Sequence, residues 1–203
     1  MASVATAAPP ARNTNWAFNV ICITIGMILF AIWAQPLLTR TINGENDFLQ
    51  LYAGAKLVGT PDLYNIEASK RIHREVTSDS NWYPSIYYTR LPYYAVLLSP
   101  LAKLRYRTAH VVWLALNLAI FSVFVFLAMR RFPETVVLVF LSVPVLVNFL
   151  NGQDVALVTS ICGFAMLLSA KGRDFEAGLV MSLASIKFHV LILFPLALLM
   201  RRR

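Results

Sequence analysis

The stretch Asn43-Gly44-Glu45-Asn46-Asp47-Phe48-Leu49-Gln50-Leu51-Tyr52-Ala53-Gly54-Ala55-Lys56 follows directly on a long apolar run and opens the longest polar segment of the chain. Asn43-Gly44 favours a turn there, which sets Asp47 a few residues beyond the end of the apolar run. Phe48, Leu51, Tyr52 and Ala55 then recur at helical spacing, so Asp47 reads as the N-cap or first-turn acid of an amphipathic helix. Two readings of Asp47 stand side by side. It caps that helix, as most such aspartates do, or it is a catalytic carboxylate at a boundary between water and lipid.

Outward from this stretch the composition decides the class. Hydrophobic residues make up 58% of 203 and charged residues 14%, with the apolar residues gathered in long blocks. That pattern belongs to an all-α, polytopic membrane protein rather than to a soluble domain with a large core. The spans expected are 16–38, 111–129, 135–150, 155–170 and 177–200. Between the first two, residues 39–107 form a large outer loop with room for two or three short helices lying on the membrane. Met1 to Asn15, rich in Ala and Pro, reads as a disordered tail. The first apolar run is too long for a signal-peptide core and reads as a retained anchor.

The net charge of +8 does not argue for nucleic acid, because the basic residues are scattered over loop ends and the long loop. There they suit lipid phosphates or an anionic lipid substrate. Cys22 and Cys162 lie inside apolar runs, so neither a disulfide nor a metal site is expected, and no cofactor motif is found. If Arg12, Arg130, Arg131, Lys171, Arg173 and Arg201 to Arg203 face the cytoplasm, the Asp47 loop and the Asn151-Gly152-Gln153-Asp154 turn share the outer side. Lys103, Arg105 and Arg107, just before the second span, pull the other way. The block 177–200 is either one crossing or a re-entrant hairpin with its tip near Lys187.

Other candidates are fewer. Lys187 stands in an apolar block, where insertion costs roughly 2.5–3.5 kcal/mol. It therefore holds a lipid phosphate in a wet cavity, or sits in a structural ion pair, or snorkels. Gln153 is placed to bond a sugar hydroxyl or to satisfy a helix end. Tyr52, Tyr64, Trp82, Tyr83, Tyr87, Tyr88, Tyr93 and Tyr94 give the loop a high aromatic density, suited to sugar faces and equally to a membrane interface. Arg90 lies among them and could pair with a phosphate or with Asp47. His73 reads as part of a solvated helix face with Glu67, Lys70, Arg71, Arg74 and Glu75.

Taken in order, the motifs are Asp47-Phe48 with Tyr52-Ala53-Gly54-Ala55, Gly59 with Tyr64, Tyr88-Thr89-Arg90-Leu91-Pro92-Tyr93 and Ser99-Pro100-Leu101. Gly152-Gln153-Asp154, Ala177-Gly178-Leu179 and Ile186-Lys187-Phe188 follow. From Trp16 to Arg203 this series resembles the bacterial polyprenol-phosphate-mannose-dependent alpha-(1,2)-mannosyltransferase-like family of the GT-C glycosyltransferase superfamily. Tyr93 and Phe188 stand where many members have Pro. The resemblance implies an inverting, multi-pass enzyme of the bacterial inner membrane, of which this chain would be the N-terminal half. It would transfer mannose or another hexose from a polyprenyl-phosphate donor to a hydroxyl of a lipid or glycan acceptor. Asp47 would be the catalytic acid of the first outer loop. Lys187 and Arg90 are expected at the phosphate, and Gln153, Tyr52 and Tyr88 at the sugar. The competing class is a non-catalytic membrane protein, a transport component or a subunit partner; Lys187 in mid-membrane suits a transport path, while the large aromatic outer loop suits a sugar-processing surface better.

Overall fold

The computed structural model describes residues 16–77, 87–130 and 142–188, and every regular element among them is helical. The chain divides into two compact units, Met1–Pro36 and Leu37–Arg203. Helix α1, Trp16–Asn43, carries Pro36 in its interior and ends at the turn where Gly44 takes a φ of 80°. It therefore runs beyond Leu38, where the span was expected to stop. In the first unit, Phe30 and Trp33 bring their rings to 6.0 Å, one helical turn apart.

In the second unit the outer segment folds into α2 (Phe48–Leu57), α3 (Ile66–Val76) and α4 (Pro92–Leu98), followed by a 3-10 turn at Leu101–Lys103. Asn65 caps α3 with its side-chain oxygen on the amides of Glu67 and Ala68. Pro92 opens α4 at a position where its missing N–H costs nothing. Helix α5, Tyr106–Met129, begins ahead of the expected Val111. Then come α6 (Val143–Leu150), α7 (Val155–Ser169) and α8 (Asp174–Ser182), and a second 3-10 turn at Leu183–Lys187.

Helix α5 organises this unit. Tyr106, Ala109, His110, Trp113, Asn117, Phe121, Val125 and Ala128 are buried, a stripe at the three- and four-residue spacing of one helix face. Val111, Leu118, Val123 and Phe126, on its other side, are more than half exposed. A helix apolar on both faces suits a lipid surround. Among the residues whose side chains are described, α5 is the helix long and apolar enough to cross a membrane. Helix α7, expected as a full span, has 15 residues. At 1.5 Å per residue that is about 22 Å, short of a hydrocarbon core of about 30 Å. Residues 135–141 of the span 135–150 and the block after Phe188 lie outside the described residues, as do Trp82 and Tyr83.

Helix α2 packs on α3, α4, α5 and the first 3-10 turn, while α7 packs on α5, α6, α8 and the second. The core they share is aromatic at one end. Phe48 lies against Tyr106, His110 and Trp113, successive members of the buried α5 stripe, with ring centroids 5.8, 5.3 and 6.0 Å away. Gly54 lies so close to Tyr88 that a β-carbon there would fall 2.1 Å from the ring, so α2 and the chain before α4 meet only because this residue has no side chain. One expectation is overturned. His73 is 6% exposed and buried with Ala68 and Ser69 on the inner face of α3, rather than lying in the solvated row. Burial, with neither ring nitrogen hydrogen-bonded, pushes its pKa down to about 4.

Candidate functional site

The site is built on the turn Asn151-Gly152-Gln153-Asp154, which joins α6 to α7. Gly152 takes a φ of 61°, and a β-carbon there would meet the Phe48 side chain at 3.0 Å and the Asn46 amide at 3.1 Å. Only glycine allows both the left-handed turn and the close approach of the Asn46–Phe48 segment. Three bonds then fix the turn to its neighbours. The Asp47 amide donates to the Asn151 carbonyl at 2.9 Å, the Trp113 indole N–H donates to the Gly152 carbonyl at 2.9 Å, and the Thr41 hydroxyl donates to the Leu150 carbonyl. The start of α2 and the α6–α7 turn, far apart in sequence, are thus one structural unit.

Asp47 stands at the N-cap position of α2 but makes no capping bond with its side chain. Asn46 takes that part, since its side-chain oxygen accepts from the Phe48 amide at 3.2 Å. Its amide nitrogen meets His110 Nε2 at 3.0 Å. The half-buried Asp47 carboxylate instead accepts a hydrogen bond from Gln153 Nε2. A carboxylate not spent on capping, held by one amide, keeps acceptor capacity for a further donor.

The neighbouring residue holds the cations. Asp154 is 1% exposed. Its Oδ1 lies 2.9 Å from Lys187 Nζ, and its Oδ2 accepts from Arg90 Nε at 3.1 Å. Arg90 also donates through Nη1 to the Thr89 hydroxyl at 3.3 Å. A buried carboxylate is tolerable when paired and hydrogen-bonded, and here two cations share one acid. The side chains of Arg90 and Lys187 are 18% and 12% exposed, so neither is sealed off as Asp154 is. Tyr93 and Ser185 join hydroxyls at 2.8 Å, tying α4 to the 3-10 turn that carries Lys187.

An apolar cavity of about 410 Å³ is lined by Tyr93, Tyr94, Leu98, Trp113, Ile161 and Ile186 among others, and Ile186 is the chain neighbour of Lys187. Its size falls in the range of small-ligand pockets, roughly 300–1,000 Å³. Tyr94 is buried with no hydrogen-bond partner for its hydroxyl. Burial first, and then the nearby Asp154 charge, push its pKa well up, so it stays a neutral phenol.

The remaining sequence candidates sit apart from any open surface. Tyr52 is 3% exposed with its hydroxyl on the Leu104 carbonyl at 2.9 Å. Tyr88 is wholly buried, with its hydroxyl on the Leu91 carbonyl at 2.8 Å. Both rings pack, so a sugar would meet them only through a movement of the core. Asp154 is the residue the sequence reading did not single out. The available signal was charge parity, because a basic residue inside an apolar block calls for an acid at the end of another.

A family model for glycosyltransferase family 87 matches residues 88–203, more than half of the chain. The chain belongs to glycosyltransferase family 87. Comparison with curated proteins and with solved structures found no match. Within this family-87 chain, Arg90, Gln153, Asp154 and Lys187 all fall inside the matched stretch, while Asp47 and Tyr52 precede it. Family 87 membership indicates a glycosyltransferase of the GT-C type.

Proposed function

We propose that this chain carries the donor-phosphate site and the catalytic base of a multi-pass, inverting glycosyltransferase of the bacterial inner membrane. The donor would be a polyprenyl-phosphate sugar, with mannose or another hexose, and the acceptor a hydroxyl of a lipid or glycan on the outer face. One observation carries this reading. Consecutive residues of one turn hold the two chemistries, Gln153 the Asp47 carboxylate and Asp154 the Arg90 and Lys187 cations. Adjacent α-carbons are 3.8 Å apart, so base and cations lie within side-chain reach of a single peptide.

The acceptor oxygen attacks the anomeric carbon while Asp47 takes its proton, and the bond to the phosphate oxygen breaks on the opposite face. The leaving oxygen gains negative charge as it departs, and Arg90 with Lys187 meets that charge with fixed donors. The apolar cavity, which Ile186 lines next to Lys187 in the chain, suits the first units of a prenyl chain. Lys187 has a buried acid as partner, which holds its ammonium at the turn beside Gln153.

The test is sugar transfer in membranes from a prenyl-phosphate donor by Asp47→Asn in the full-length enzyme. Asparagine keeps an acceptor for Gln153 but cannot take a proton, so transfer should fall by at least about a hundredfold with insertion and folding intact. Undiminished transfer would remove Asp47 from the chemistry.

A further inference from the structure

We propose that Asp154 is a positioning residue that sets how tightly the phosphate site holds what it binds, by offsetting one of the two positive charges brought by Arg90 and Lys187. The inference rests on the glycosyltransferase reading above and concerns the step after the chemistry.

The charge balance is simple. Arg90 and Lys187 bring two positive charges and Asp154 one negative, so the cluster carries a net charge of +1. In the reaction the acceptor oxygen forms a bond to the anomeric carbon. The bond from that carbon to the phosphate oxygen breaks, its electron pair stays on the phosphate, and the acceptor proton goes to Asp47. The donor phosphate is a diester with one negative charge. The departing phosphate is a monoester whose second ionisation lies near pH 6, so near neutral pH it carries about −1.5 to −2. A +1 site matches the donor. The product brings more negative charge than Arg90, Lys187 and Asp154 together can balance.

The geometry lets Asp154 act only through the cations. At 1% exposure it is closed to an occupant, whereas the side chains of the two cations it holds keep 18% and 12% of their surface. It also uses different oxygens for its two closest contacts, Oδ1 for Lys187 and Oδ2 for Arg90 Nε. The two donors are thereby kept at a fixed spacing and stopped from swinging together around a dianion. Without the carboxylate the cluster would carry +2, match the monoester, and hold the product.

The probes are farnesyl phosphate, a monoester, and farnesyl methyl phosphate, a diester, titrated calorimetrically into the detergent-solubilised protein at pH 7.5. For Asp154→Asn the monoester-to-diester affinity ratio should rise by roughly tenfold over wild type. For Lys187→Met, where Asp154 stays and the net charge drops to zero, the ratio should fall. In transfer assays Asp154→Asn should lower kcat and donor KM together, with added monoester inhibiting more strongly, and Asp154→Glu should restore both. An unchanged ratio in either variant, or a fall in Asp154→Asn, would overturn the proposal. Should Asp154→Asn not fold, the double variant Asp154→Asn with Lys187→Met, whose net charge returns to +1, decides: a ratio near wild type supports the proposal, and a ratio as low as that of Lys187→Met overturns it. If wild type binds neither phosphate, the phosphate site itself is refuted and this inference goes with it. Binding of both with one ratio throughout removes only the role given to Asp154.

Discussion

The Nε2 amide of Gln153 donates to the carboxylate of Asp47, joining the start of α2 to a turn 106 positions downstream. The two are also linked by backbone, since the Asp47 amide donates to the Asn151 carbonyl. The segment therefore stays in place without the side-chain bond, and the bond's own contribution can be isolated. Gln153→Leu should leave the melting temperature nearly unchanged and lower kcat by up to about a hundredfold, with donor KM little affected. A change confined to KM would mean that Gln153 serves binding and does not orient the acid.

Tyr94 offers the opposite case, a buried hydroxyl without a partner. Such a group costs free energy in the folded state, so deleting it should not harm the fold. Tyr94→Phe is expected to be neutral or stabilising by about 1 kcal/mol in chemical denaturation. Destabilisation by a similar amount would show that the hydroxyl is bonded in the folded protein.

At Gly54 even one methyl group has nowhere to go. A β-carbon would come within 2.1 Å of the Tyr88 ring, whose hydroxyl is tied to the Leu91 carbonyl. Gly54→Ala should destabilise by about 1–3 kcal/mol. Adding Tyr88→Leu should recover part of that loss, because the smaller side chain makes room. A double variant that melts no higher than the single one would place the strain elsewhere.

His73 makes stability depend on pH. Its pKa is held down to about 4 in the folded chain, against 6.5 for the ordinary group. Between those values the unfolded chain binds the extra proton, so stability is fully present above about pH 6.5 and is lost as pH falls toward 4. His73→Leu should remove this slope. The difference in melting temperature between wild type and variant, followed from pH 7 to pH 5, checks it, and parallel curves would contradict the buried neutral imidazole.

Much of the helical order was legible in the sequence because apolar blocks and their polar breaks are long-range patterns. Asp47, Gln153, Arg90 and Lys187 stood out as polar groups in unusual company. What could not be read was which of them meet. Arg90 lies 64 positions before Asp154 and Lys187 33 after it, and no spacing rule links residues across different helices. Asp154 was hidden by the polar turn it belongs to, where an acid is ordinary. His73 was misread because charged neighbours dominate α3, although Ser69 and His73 share the small-residue face with Ala68. Tyr52 and Tyr88 entered the sugar-binding set by residue type, and their burial is a fact that residue type does not carry.

Because Gln153 and Asp154 are adjacent, the turn works as a ruler one residue long. An alanine inserted between them would keep every side chain of the cluster in the protein and yet change the register between acid and cations. At this corner length matters as much as composition, and a single added residue would do what no conservative replacement does.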